Sequence, residues 1–262
     1  MRKTIGALIV LASAGLTLPD AALAQTKIVI GIPTSPPNIV HMPPIVAKEL
    51  GLYKKAGIDA EIVSLGDGTK VFRALLAENI DFGLTPGAPT IIGRSNGATV
   101  KALSANLPKF EASMIVRAEI KTMEDLKGKR IGIQEPGGFA DILSRAVLRA
   151  GKIDPKEVNF VAIASEDVPA LVANQVDTAI LHVEQEMLAK SKVPDLHAIG
   201  RMWELQPKTL YTFLSANEKT IKDKPEIVQA VVSANIEATR IMYTDKAKII
   251  PILVKQTGYP EK

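Results

Sequence analysis

Short apolar runs bounded by glycine and proline alternate with longer amphipathic segments along most of this chain. Residues 129–133 form one such run between turn residues and predict a buried strand. Thr122 with Asp125 three residues later predicts a capped helical turn before it, ended by Gly128. Residues 135–138 (Glu-Pro-Gly-Gly) predict a turn, and residues 140–150 a helix stopped by Gly151. A strand that delivers a glycine turn onto a helix start leaves unpaired N–H groups facing a crevice.

The same order occurs earlier. Residues 27–32 predict a strand, 33–38 a turn, and 44–50 a helix closed by Gly51. Then come a strand at 59–65, a turn at 66–69, a helix at 70–79, and a strand at 80–84 that opens into residues 85–88. The second half answers with a strand at 159–164, a turn at 165–167, a helix at 168–174, and a strand at 176–180 leading to His182, Val183 and Glu184. The segments LLAENID (75–81) and LVANQVD (171–177) nearly superimpose, so the sequence describes two α/β lobes of matching layout. Residues 225–242 predict an amphipathic helix whose apolar residues Ile227, Val228, Val231, Val232, Ile236 and Ile241 recur at mixed three- and four-residue steps. Residues 244–255 predict another helix, with Pro251 inside it.

Four segments in this order resemble one known family: residues 44–63 (PIVAKELGLYKKAGIDAEIV), 75–83 with Gly97, 122–133 (TMEDLKGKRIGI) and 167–181 (DVPALVANQVDTAIL). The chain is similar, from Lys27 to about Arg240, to periplasmic substrate-binding proteins of ABC importers. The resemblance is to the nitrate/taurine/sulfonate group, which also includes thiamine-precursor-binding proteins. It implies an α/β, two-lobed periplasmic binding protein fold of type II-like form. Each lobe would be a mixed sheet flanked by helices, with the ligand cleft between lobes. It also implies a monomer that closes over a small molecule and delivers it to a membrane permease of an ABC transporter. Residues 111–117 and 210–215 are then expected to be the hinge strands, or else ordinary sheet strands. The expected lobes are 25–110 plus 206–262, and 111–205. Members of the group usually continue for several more helices, which makes this chain either a short member or a truncated one.

The N-terminus adds a destination. Arg2 and Lys3, an apolar core at 5–18 and Ala22-Leu23-Ala24 predict a signal peptide over residues 1–24. The core is too short to span a bilayer comfortably. No cysteine follows it, so the expected product is periplasmic, carries no lipid anchor and no membrane span. Losing Arg2, Lys3 and Asp20 takes the formal charge from +4 to +3. The absence of cysteine removes disulfides, thiolate metal sites and cysteine nucleophiles. There is no basic cluster with interleaved aromatics, so nucleic acid is not an expected partner.

In open α/β sheets ligands bind beyond the carboxyl ends of strands. That rule selects six loops, three per lobe: 34–38, 66–69, 85–88, 136–139, 165–167 and 182–184. The candidate ligand residues are Thr34, Ser35, Asn38, Asp67, Thr69, Thr85, Gly87, Gly138, Phe139, His182 and Glu184. Each has a plainer reading. Thr34, Ser35 and Asp67 could serve turns, Thr85 a strand end, Gly138 and Phe139 a helix start, and Glu184 a surface ion pair. None of the loops carries Lys or Arg, while Asp67, Glu166, Asp167 and Glu184 offer acceptors. The balance favours a neutral or cationic organic ligand and leaves an anion held by helix starts and hydroxyls open. Trp203 is expected to be a packing residue, and His41 and His197 ordinary surface or loop residues.

Catalytic signatures are missing: no Gly-x-Ser-x-Gly, no phosphate loop, no His-Glu-x-x-His. No cofactor is expected. Two enzymes share the resembled fold, a pyrimidine synthase of thiamine biosynthesis that relies on a cysteine-rich motif absent here, and an enzyme of menaquinone synthesis. The expectation is a binding protein, with a ligand sensor feeding a signalling partner as the alternative to transport.

Overall fold

The computed structural model describes residues 25–107, 109–163, 167–208 and 210–259. The expected signal segment, and Ser165 and Glu166 of one expected loop, lie outside the described residues. The first half runs β1 (Thr26–Ile32), α1 (Pro43–Glu49), α2 (Leu52–Lys55), β2 (Ile58–Ser64), α3 (Gly68–Leu76), β3 (Phe82–Pro86), α4 (Gly87–Ser95) and β4 (Val100–Leu107). The second runs β5 (Ala112–Val116), β6 (Arg130–Ile133), α5 (Phe139–Ala150), β7 (Asn159–Ala162), α6 (Asp167–Val172), β8 (Thr178–His182), α7 (Val183–Lys192), β9 (His197–Arg201) and α8 (Met202–Leu205). The chain then returns as β10 (Thr212–Asn217), α9 (Glu218–Asp223), α10 (Pro225–Thr244) and α11 (Lys246–Thr257).

These strands form two five-stranded mixed sheets, β2-β1-β3-β10-β4 and β7-β6-β8-β5-β9. In the first, β10 is antiparallel to β3 and β4. In the second, β5 is antiparallel to β8 and β9. The two orders are the same once β10 is matched with β5. Both faces of each sheet are covered, which is why the central strands are continuous apolar runs rather than alternating ones. On the first sheet Ile28, Ile30, Phe82 and Leu214 pack with Tyr53, Val231 and Ala238, and Val71, Phe72 and Leu75 of α3 form a separate cluster. On β5, Met114 and Val116 join the cluster of α5 and α8, while Ile115 between them joins that of α6 and α7.

The repeat is written in backbone detail. Asp81 Oδ2 accepts from the Val29 N–H at 2.9 Å, and Asp177 Oδ2 from the Arg130 N–H at 2.8 Å. Each aspartate thus ties the turn before its own strand to the neighbouring parallel strand, β1 in one sheet and β6 in the other. Glu78 and Asn174 both adopt left-handed backbone, with φ of 58° and 59°. This explains a difference from the sequence reading. β3 and β8 each begin two residues later than expected, because Ile80-Asp81 and Val176-Asp177 serve the turn. As a result Thr85 and His182 lie in strands, and the expected loops after them are the starts of α4 and α7.

The two strands expected to carry the hinge are both interior sheet strands. The chain passes between the sheets just before them, within 108–111 and 206–211. On α10 five of the six expected apolar residues, Ile227, Val228, Val231, Val232 and Ile241, belong to the core or pack against it. The fully buried residues of the helix are Val231, Ala234, Asn235 and Ala238, while Ile236 is exposed. Small residues let it pack closely on α1 and α2, where Asn235 Nδ2 donates to the Tyr53 hydroxyl at 2.8 Å. No helix among the described residues is long and apolar enough to cross a membrane.

Candidate functional site

The carboxyl ends of the strands in the two sheets face each other. β1 leads to Pro33 and Thr34, β2 leads to Asp67, and β3 ends at Pro86. Opposite them β6 leads to Gln134 and Glu135, and β8 ends at His182. Asp67 caps α3, with its Oδ1 accepting from the Thr69 N–H at 2.6 Å. Between the two sets lies a cavity of about 30 Å³, lined among others by Thr34, His41, Asp67, Gln134, Phe139 and Tyr211. A larger open groove of about 700 Å³ shares Thr34 and runs past Ser35, Asn38, Asp167, Gln185 and Lys192.

Of the eleven candidate residues, Thr34, Asp67 and Phe139 line the cavity, and Thr34, Ser35 and Asn38 the groove. Gly138 lies beside the cavity, because a Cβ there would sit 2.9 Å from Asp67 Oδ2. Glu184 reaches across the seam, where its Oε1 accepts from the Ile39 N–H at 3.1 Å. Three others serve the scaffold. The Thr85 hydroxyl is fully buried against that of Ser215 at 2.6 Å. Gly87 lets the return crossover approach, since a Cβ would meet the Leu210 carbonyl oxygen at 2.3 Å. Thr69 supplies its backbone N–H to Asp67, and its own hydroxyl is buried without a partner.

His182 is the centre of the seam. Its Nδ1 pairs with the Glu111 carboxylate, and its Nε2 lies 3.1 Å from the Tyr211 hydroxyl. Phe139 stacks on its ring at 5.7 Å with planes 5° apart. Burial works against its charge, but Glu111, Glu184 and Asp167 outweigh that and push its pKa up to about 9. His41 is buried edge-on to it at 6.2 Å. Burial, followed by the charge of His182, pushes His41 down to about 3. His41 is therefore a neutral seam residue, not the surface residue expected from the sequence.

The carboxyls pay for their position in the opposite direction. Burial raises Asp167 to about 6, against the pull of Gln134 and His182. Burial also raises Glu184, and raises Glu135, to which the charge of Asp67 adds. Gln134 Oε1 is a buried acceptor without a hydrogen-bond partner, while Glu135 Oε1 lies 3.9 Å from the Arg73 guanidinium. No lysine or arginine is among the residues lining the cavity. The constellation is thus rich in acceptors and negative charge, held from both sides, with one charged imidazole among them.

Gln134, Glu111 and Tyr211 were not candidates in the sequence. A usable signal existed for the last two, because Glu111 and Tyr211 each immediately precede the antiparallel strand of a matching sheet.

Comparison with known proteins places this geometry. Residues 38–248 match a family described as NMT1/THI5 like. A provisionally named binding protein of Brucella abortus (strain 2308) is 27% identical over 213 residues, covering 80% of this chain and 66% of that protein. A 4-amino-5-hydroxymethyl-2-methylpyrimidine phosphate synthase of Legionella pneumophila is 26% identical over 145 residues, 55% of this chain and 45% of that one. The structure of the periplasmic aliphatic sulphonate binding protein of Escherichia coli superimposes with a TM-score of 0.72 at 19% identity, covering 90% of this chain and 80% of that one. This chain therefore spans about two thirds of the Brucella relative, and its two mixed sheets flanked by helices have the periplasmic binding protein fold.

Proposed function

Because the chain belongs to the NMT1/THI5-like family, we propose that it is an exported solute-binding protein that captures a small neutral or cationic organic molecule between two lobes. The lobes are residues 25–110 plus 206–262, and 111–205, with the crossovers at 108–111 and 206–211 as the hinge. Residues 1–24 direct export to the periplasm, where the protein acts as a monomer without a lipid anchor. It hands its ligand to an ABC permease.

The observation that carries the ligand chemistry is the acceptor-rich lining shared by both lobes: Asp67 from one and the unpartnered Gln134 Oε1 from the other, with no lysine or arginine among the lining residues. A protonated amine or a donor-rich heterocycle supplies what those atoms lack. A cavity of about 30 Å³ holds little more than one small group, so entry requires the lobes to part.

The test is the thermal midpoint of residues 25–262 against aminopyrimidines, amines, carboxylates, sulfonates and nitrate. A ligand at a hundred times its Kd stabilises the folded chain by about 2.7 kcal/mol. Shifts with amines or aminopyrimidines support the reading. Shifts confined to sulfonates or carboxylates would sink the charge assignment while keeping the binding role. Asp67→Asn should then weaken a cationic ligand roughly tenfold or more, the loss of a charge-assisted bond, and a neutral ligand much less. Equal losses for both, measured by calorimetry, would remove Asp67 from charge recognition.

The Legionella relative favours a second reading, an enzyme of pyrimidine synthesis. Formation of 4-amino-5-hydroxymethyl-2-methylpyrimidine phosphate by the purified chain would establish it. The chain holds no cysteine to supply the motif of the yeast-type synthase.

A further inference from the structure

The cavity and the groove are joined. Thr34 lines both. Gln134 of the cavity donates through Nε2 to Asp167 Oδ1 at 2.9 Å and Oδ2 at 3.0 Å, and Asp167 lines the groove. The two spaces differ in size and chemistry. The inner one admits a single small polar group among acceptors and rings. The outer one, at about 700 Å³, falls in the range of small-molecule sites. Its wall is apolar: Val168, Pro169 and Val172 on α6 and Leu188 on α7. Lys192 is the one lysine or arginine lining either space, and it lies on the groove.

We propose that the ligand is an elongated amphiphile, with a protonated nitrogen head in the inner cavity at Asp67 and Gln134 and an apolar body along Val168, Val172 and Leu188. This rests on the reading above that the cleft accepts a cationic organic molecule, and adds its shape and orientation. The charges favour one direction, with Asp167 of the groove bonded to Gln134 at its inner end. A cationic head at the outer end meets Lys192, whereas at the inner end it meets Asp67 and the unpartnered Gln134 Oε1. An anionic head has the reverse preference and would leave the inner acceptors without donors. The apolar wall contributes through the area of the body removed from water, so affinity should depend on chain length and not on the head alone.

The experiment uses residues 25–262 and the primary n-alkylamines from ethylamine to octylamine, with n-alkylsulfonates of equal length as the opposite-charge series, read by calorimetry. Affinity for the amines should rise roughly fourfold per added methylene until the groove is filled. Val172→Asp, at a half-buried position on the groove wall, should abolish that rise. Amines that bind with no dependence on length would overturn the extended ligand and leave the capture function standing. A sulfonate series that rises as steeply as the amines would overturn the orientation. Amines that fail to bind at any length would overturn this proposal together with the charge reading it rests on.

Discussion

Gly138→Val is expected to leave both sheets folded and to weaken ligand capture by roughly tenfold to a hundredfold. Gly138 has φ −77° and ψ −178°, an extended conformation open to any residue, so the backbone gives no reason for glycine. The reason is across the seam. A Cβ would lie 2.9 Å from Asp67 Oδ2 and 3.0 Å from the Glu135 carbonyl oxygen. Asp67 cannot retreat without losing its 2.6 Å bond from the Thr69 N–H, which caps α3. Valine therefore overpacks the closed arrangement far more than the open one. The check is the ligand concentration that half-saturates the thermal shift, together with the separation of labels on cysteines introduced at Lys54 and Lys156. Both are exposed, on opposite sheets' flanks, and the native chain has no cysteine to compete. A variant that closes and binds like the parent would remove Gly138 from the closing surface.

Asp177→Ala is expected to cost about 3 kcal/mol of stability, combining lost charge-assisted bonds with an orphaned backbone donor. Asp177 accepts from the Arg130 N–H at 2.8 Å, from its Nε at 3.1 Å and from its Nη2 at 2.7 Å. Those bonds fix the first residue of β6 to the turn entering β8. For a chain of this size the midpoint should fall by roughly 6–12 °C. The Arg130 hydrogen bond, opposed by partial burial, holds the Asp177 carboxyl below its ordinary range. A depressed carboxyl stabilises above the unfolded value of about 3.9, and that contribution is lost as pH falls through the folded value. The pH-dependent part of the difference between the parent and Asp177→Asn should thus be constant from neutrality to about pH 5 and shrink in stronger acid. A midpoint within about a degree of the parent for the alanine variant would show that the turn holds without its aspartate.

The repeat was visible in the sequence because it is made of local signals: apolar runs, glycine stops, and LLAENID against LVANQVD. The layout of two α/β lobes follows from them. The strand ends did not follow, because Asp81 and Asp177 use their side chains to bond a strand some fifty residues earlier. No local pattern distinguishes an aspartate that does this from one that begins a strand. Asp67 and Phe139 were recognisable from their place after strands. His41 was not, since its burial depends on His182 and Tyr211, which arrive from the other half and from the return crossover. Thr85 shows the converse. Its position beyond an expected strand end suggested a ligand contact, but the strand runs on and its hydroxyl meets Ser215.

The unequal continuity of the two sheets has a consequence for synthesis. Every strand of β7-β6-β8-β5-β9 lies within one uninterrupted stretch, from Ala112 to Arg201. The other sheet waits for β10, whose Ser215 meets Thr85 across 130 residues of chain. A chain growing from its N-terminus therefore completes its second half first, while the edge of β3 stays unpaired. Limited proteolysis of stalled chains should find residues 112–201 protected before residues 26–107. The reverse order would mean that the first sheet gains lasting order without its late strand.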